Sequence, residues 1–214
     1  MRNALIATLC FLSGAAFAQS ADVGVVNLVQ GEVAFAPRAG AQGKVSAFMR
    51  VRDGDRFELP AGAQLRVVYF DGARQERWQG PASFRAGKTA GEPIAGAAAE
   101  VVNLPAGVPQ RIARVPELVQ NAKLGGIQLR GGVSRPQADK EIQMSVREAR
   151  AAYDEMSKQL PADDITPELF LYSALYDYQM YDDMKLVVAE MRRKQPGSED
   201  AKSLESWLQR RTGQ

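Results

Sequence analysis

The sequence of 214 residues contains no histidine, and its one cysteine, Cys10, lies close to the N-terminus. Histidine is the usual general base near neutral pH and the commonest metal ligand. Without it, and with no thiol beyond Cys10, neither a Ser-His-Asp nor a Cys-His nucleophile can be assembled, nor a zinc site of the usual His/Cys type. Disulfide bonds are excluded for the same reason, so stability is expected to come from packed cores. Beyond the N-terminus no apolar run approaches the ~20 residues that cross a bilayer. An excess of charge of one sign is also missing. Lys and Arg number 27 against 25 Asp and Glu, and such a balance gives no reason to expect nucleic acid.

Two catalytic chemistries survive these absences: a carboxylate pair for glycoside hydrolysis and a Ser-Lys nucleophile. Asp53/Asp55, Asp163/Asp164 and Asp182/Asp183 put carboxylates close together, but each pair sits where a turn or a helix start is expected. Ser157-Lys158 is an adjacent pair on a helix, and no Ser-x-x-Lys motif follows residue 18. The chain is therefore read as a binding protein that is not an enzyme and uses no cofactor.

What is present begins with Met1-Arg2-Asn3, an apolar run over Ala4 to Leu12, and Ala16 and Ala18 at the −3 and −1 positions of a cleavage site. This is the pattern of a secretory signal peptide over residues 1–18, with Gln19 as the mature N-terminus. A periplasmic location follows as the expectation, with a mature chain that does not span the membrane. Cys10 follows Leu9 in mid-run, which is the wrong place for lipidation.

From Val23 to Phe84, short β-rich runs alternate with Gly, Pro and Asp turn signals, the rhythm of an all-β sandwich or barrel-like domain. The runs are Val25-Val26-Asn27-Leu28-Val29, Glu32 to Phe35, Phe48 to Val51, Arg56 to Leu59, Gln64 to Phe70, Gln75 to Trp78 and Ala82 to Arg85. Alternation in Gln64-Leu65-Arg66-Val67 predicts Leu65 and Val67 toward the core and Arg66 toward solvent. Gly54, Gly62 and Gly72 read as turn residues, because strands rather than helices follow them. Trp78 reads as packing.

The series Gly31-Glu32-Val33, Val51-Arg52-Asp53-Gly54-Asp55, Ala61-Gly62-Ala63-Gln64-Leu65-Arg66-Val67, Phe70-Asp71-Gly72-Ala73 and Gly80-Pro81-Ala82-Ser83-Phe84 resembles the FecR family of periplasmic β domains. That family shows a G-x-V strand, a GD turn, a Gly-led hydrophobic strand, a DG hairpin and a closing strand in this order. The resemblance covers about 60 residues and implies an envelope sensory or binding module over residues 19–95. It does not carry over control of a sigma factor, since the membrane helix and cytoplasmic segment of such regulators have no counterpart here.

Residues 96–136 read as a connecting segment with room for extra strands at Glu100 to Pro105 and Gly125 to Gly132, and a helical turn at Val115 to Gln120. Lys88 to Pro93 reads as a loop. Residues 137–214 change to helical periodicity. Ile142, Val146, Ala149, Tyr153 and Met156 share one face. Thr166 is expected to cap a helix that continues through Pro167, and Pro196-Gly197-Ser198 separates the last two helices. A shift of 35 residues superposes Ala149 on Met184, Tyr153 on Val188, Met156 on Met191 and Pro161 on Pro196. A period near 34 with a helix-closing proline resembles tetratricopeptide repeats, although Tyr172 and Met184 stand where small residues are usual. The fold class is thus α+β and multidomain, with an all-β domain followed by an all-α region of helical hairpins.

Aromatic anchors are favoured at interfaces, so Tyr172 and Tyr176 are the candidate partner-binding residues. The expected function is an exported binding or scaffold protein. Its β domain would contact an envelope glycan or other component and its helical region a protein partner. The alternative is a signalling component acting through a separate membrane sensor.

Overall fold

Alternating runs and tight turns build two antiparallel five-stranded sheets. The structure is a computed structural model that describes residues 21–38, 40–124 and 140–213, without the side chains of residues 140–144. The predicted leader, the strand expected at 125–132 and the Ile142 side chain lie outside the described residues.

Sheet A contains β1 (Asp22–Gln30), β4 (Arg50–Arg52), β6 (Gln64–Tyr69), β7 (Arg74–Gln79) and β10 (Glu100–Asn103), in the order β10-β7-β6-β1-β4. Sheet B contains β2 (Ala34–Ala36), β3 (Gly43–Lys44), β5 (Arg56–Leu59), β8 (Ala82–Ala86) and β9 (Gly91–Gly96), in the order β3-β2-β5-β8-β9. The extra strand expected in the connecting segment is β10, and it completes sheet A, so the β unit runs to Asn103 rather than stopping at residue 95. The loop expected at 88–93 gives way at its end to β9. Pro93 is tolerated there because β9 is an edge strand.

Between the sheets lies a core of Val23, Val26, Val51, Phe57, Leu65, Val67, Tyr69, Trp78 and Phe84. Trp78 stacks on Phe84 with centroids 4.1 Å apart, and Phe84 stacks on Phe57 at 4.9 Å. Each such pair adds about 0.5–1.5 kcal/mol beyond its buried area. Trp78 is thus packing, as its place in the strand pattern predicts. Its indole N–H donates to buried Glu76, which also accepts the Gly91 N–H at 2.9 Å. A Cβ at position 91 would stand 2.6 Å from the Trp78 ring, so only glycine lets this backbone approach.

The helices are α1 (Val108–Ile112), α2 (Val115–Lys123), α3 (Lys140–Gln159), α4 (Thr166–Asp177), α5 (Tyr181–Lys194) and α6 (Glu199–Thr212). Neighbours in sequence from α3 to α6 pack side by side, and α1 and α2 close against α4 and α6. Ala149 and Met156 of α3 and Met184, Val188 and Met191 of α5 are buried in one core.

That core includes Val25 and Val68 of sheet A, because the helices cover the outer face of this sheet. β1 is consequently buried on both sides. Its bulges at Asp22/Gly24 and Val26/Leu28 re-aim successive side chains, sending Val23 and Val26 into the sandwich and Val25 and Asn27 toward the helices.

Arg66 departs from the sequence expectation. It is 2% exposed, not solvated, because the face that alternation assigns to water is the face the helices occupy. Its guanidinium pairs with Asp163 at 2.9 Å and stands 3.6 Å from Asp164. Around Asp164 the buried side chains of Asn27, Gln75 and Thr166 are joined in hydrogen bonds, among them Asn27 Nδ2 to Thr166 Oγ1 at 2.5 Å and Thr166 Oγ1 to Gln75 Oε1 at 2.6 Å. Thr166 therefore does not cap α4. Its hydroxyl faces the sheet, and Asp164 accepts the Thr166 N–H at 2.8 Å instead. Lys194 adds a second buried pair, 2.9 Å from Glu168 and 2.9 Å from the Asp164 carbonyl oxygen. Tyr153 donates to Glu168 at 2.9 Å, and burial beside that carboxylate pushes its phenol up to about 12.

Candidate functional site

Five of the six carboxylates that the sequence offers in pairs for hydrolysis have partners within the fold. Asp163 and Asp164 hold the junction just described. Asp183 pairs with Arg150 at 2.5 Å and Asp182 with Lys185 at 3.5 Å. Asp55 is buried and accepts the Arg52 N–H at 2.9 Å. Burial pushes its carboxyl above the ordinary aspartate value, against the opposing effect of backbone N–H bonds from Arg52 and Arg38.

Tyr172 and Tyr176 do not form one exposed face. Tyr172 is 1% exposed, enclosed by the helical core, and burial raises its phenol pKa. It is not available to a partner, because α4 is surrounded: every residue from Thr166 to Leu175 is buried. Tyr176, one turn later, is half-buried. Its ring lies 5.9 Å from Trp207 of α6, and Tyr181 meets the same indole edge-on at 5.9 Å. The Arg211 guanidinium sits 5.6 Å above the Tyr181 ring. Trp, Tyr and Arg are the residues enriched at binding hot spots, and this cluster gathers all three on the helical surface.

A groove of about 590 Å³ runs between α5 and α6, and Leu186 stands 71% exposed on its wall. A cleft of about 380 Å³ lies between Phe48-Met49-Arg50 and α2. Two of its charged groups are neutralised, Lys123 by Asp200 at 2.5 Å and Arg50 by Asp22 at 2.5 Å. The cleft is a seam between the two halves of the fold.

The outer face of sheet B carries a hollow of about 520 Å³. It arises from strand register. Phe57 and Phe84 pair across β5 and β8 and point inward, so their neighbours Arg56 and Arg85, also directly opposed, emerge outward side by side. Arg38 reaches the same hollow by lying across the Asp53-Gly54-Asp55 turn. A Cβ at Gly54 would stand 3.1 Å from Arg38 Cδ, and Gly54 has φ +90°, so glycine serves both the turn and the overlying side chain. The turn is tied to β8 by Gly54 N–H to Ala86 O and Ala86 N–H to Asp55 O, each 2.7 Å. Asp53 and Glu92 supply the acidic groups of the hollow, and Ala36, Pro37 and Ala86 its apolar lining. Arg38, Arg56 and Arg85 lie far apart in the chain, and only the register and the turn reveal that they converge.

Among the described residues no helix is long and apolar enough to cross a membrane, and no group of three or more Asp or Glu side chains comes together as a metal site. No protein family, no curated protein and no solved structure matches the chain.

Proposed function

We propose that the chain is an exported periplasmic binding and scaffold protein. Its sandwich, similar in sequence pattern to FecR-type domains, contacts an envelope component. Its helical region, a degenerate tetratricopeptide-like array, recruits a protein. One observation carries this reading: the two sheets are used differently. The helices cover the outer face of sheet A, whereas the described residues leave the outer face of sheet B uncovered, and it holds the arginine hollow. The molecule thereby presents a β surface on one side of the sandwich and a helical surface with the Tyr176–Trp207–Tyr181 cluster on the other. The buried polar junction holds the two in a fixed relation, as a scaffold requires. The leader-like residues 1–18 support export.

Photo-cross-linking in intact cells tests the proposal. A cross-linking residue in place of Glu58, exposed on β5, is expected to capture envelope material. One in place of Ser206, exposed beside Trp207, is expected to capture a protein, and Trp207→Ala in the same chain should abolish that product. Cytoplasmic retention of the chain, or absence of any product from both positions, would refute the reading.

A further inference from the structure

The arginine hollow has a chemistry of its own. Like charges directly opposite one another in an antiparallel pair destabilise it, yet Arg56 and Arg85 are so placed. Among the described residues neither Arg38 nor Arg56 has an ion-pair partner, and Arg85 pairs with Glu92 at the long distance of 4.0 Å, both side chains being exposed. Five charged side chains line the hollow, three cationic and two anionic. An arrangement that costs stability in the free chain is relieved when an anion bridges the two guanidinia. Guanidinium is the group best matched to this task, since its planar fork binds carboxylate oxygens through parallel hydrogen bonds.

We infer that this hollow binds an acidic glycan, seating the carboxylate of a sugar acid between Arg56 and Arg85. The inference rests on the envelope-binding role proposed above and names the class of its ligand. Arg38 supplies a third cation from the neighbouring loop. Asp53 and Glu92, beside the arginines, accept hydrogen bonds from sugar hydroxyls. Ala36 and Pro37, both partly exposed, offer an apolar patch to the C–H face of a pyranose ring. The volume falls within the ~300–1,000 Å³ of small-ligand sites and suits a short stretch of polymer. An anionic lipid surface fits less well. A dense layer of headgroup phosphates would also press on Glu92, which is 66% exposed, whereas a sugar acid alternates carboxylate with hydroxyl groups as the hollow alternates cation with anion.

The test is calorimetric titration of the full chain with oligogalacturonate, beside neutral dextran of similar length and vesicles of phosphatidylglycerol. Oligogalacturonate should bind, and dextran should not. Arg56→Gln with Arg85→Gln should weaken binding about tenfold or more. These side chains are exposed, so circular dichroism should be unchanged. A control removing the same charge elsewhere, Arg193→Gln with Lys202→Gln, should bind like the parent chain. Equal loss in the control would mean diffuse charge attraction and would overturn the site. Undiminished binding by the Arg56/Arg85 variant, or binding to vesicles alone, would overturn it as well. Should oligogalacturonate fail while cross-links from position 58 persist, the ligand class is wrong and envelope binding stands. Should those cross-links vanish too, the broader reading falls with it.

Discussion

One guanidinium nitrogen of Arg66 donates to both carboxylate oxygens of Asp163 at 2.9 Å, linking β6 to the segment before α4 across 97 residues of sequence. This contact and the Asn27–Gln75–Asp164–Thr166 network join a sheet to a helical array through polar side chains. Charged pairs removed from water give up hydration that their attraction barely restores, so such a junction contributes more to specific docking than to stability. Breaking one partner is another matter.

Arg66→Met should therefore cost about 3–5 kcal/mol, because it takes the guanidinium cation away from the buried Asp164 carboxylate, which keeps only its neutral hydrogen-bond donors. Asp163→Asn should cost less than about 1 kcal/mol, since the Asp163 side chain is 44% exposed and water screens its half of the pair. Urea denaturation reads both, and the two tryptophans separate the halves of the fold: Trp78 lies in the sandwich and Trp207 on α6. In the parent chain their fluorescence transitions should coincide. In Arg66→Met the Trp207 transition should move to lower urea, ahead of Trp78. Unchanged, coincident transitions would show that Arg66 does not hold the halves together.

The seven strands read from the sequence correspond to strands of the fold because turn chemistry punctuates them, and Arg56–Leu59 is recovered with its bounds intact. β9 was hidden: Gly-Glu-Pro-Ile-Ala-Gly carries two glycines and a proline, and only its place at a sheet edge makes that acceptable. The helical cover on sheet A was hidden for a different reason. Alternation in Gln64 to Val67 looks the same whether the polar face meets water or a buried ion pair. The available clue was the loss of alternation at Val67-Val68-Tyr69 and Val25-Val26, the mark of strands buried on both faces. For Tyr172 and Tyr176, spacing places two residues on one helical side without saying what covers it. The arginine hollow leaves no local trace, since its cations meet only through register.

Asp55 gives the sandwich a pH dependence of definite sign. Its folded pKa lies above the ordinary 3.8 because burial outweighs its backbone hydrogen bonds. Well below 3.8 the carboxyl is protonated in both states, and its contribution is the same folded or unfolded. As pH rises past 3.8 the unfolded chain releases the proton that the folded chain still holds, so stability falls until the folded pKa is passed. Asp55→Asn removes this decline and keeps an oxygen to accept the Arg52 N–H. The parent-minus-variant difference in unfolding free energy, followed by urea titration from about pH 3.5 to 6, should fall with rising pH. A difference that stays flat or rises would show that Asp55 is not the group responsible.

Tyr172 and Tyr176 should part company under substitution. Tyr172→Ser empties a ring-sized volume inside the helical core and should cost about 3–5 kcal/mol. Tyr172→Phe keeps that volume and should cost less than about 1.5 kcal/mol. Tyr176→Ser removes a half-buried ring from the edge of the Trp207 cluster, and it should leave the unfolding midpoint much closer to that of the parent chain. Thermal unfolding followed at 222 nm orders the three, and parent-like stability of Tyr172→Ser would contradict its burial. The ordering decides how partner capture is to be interpreted. Lost capture in Tyr172→Ser would report a damaged core, whereas lost capture in Tyr176→Ser or Trp207→Ala with the midpoint preserved would report a lost contact.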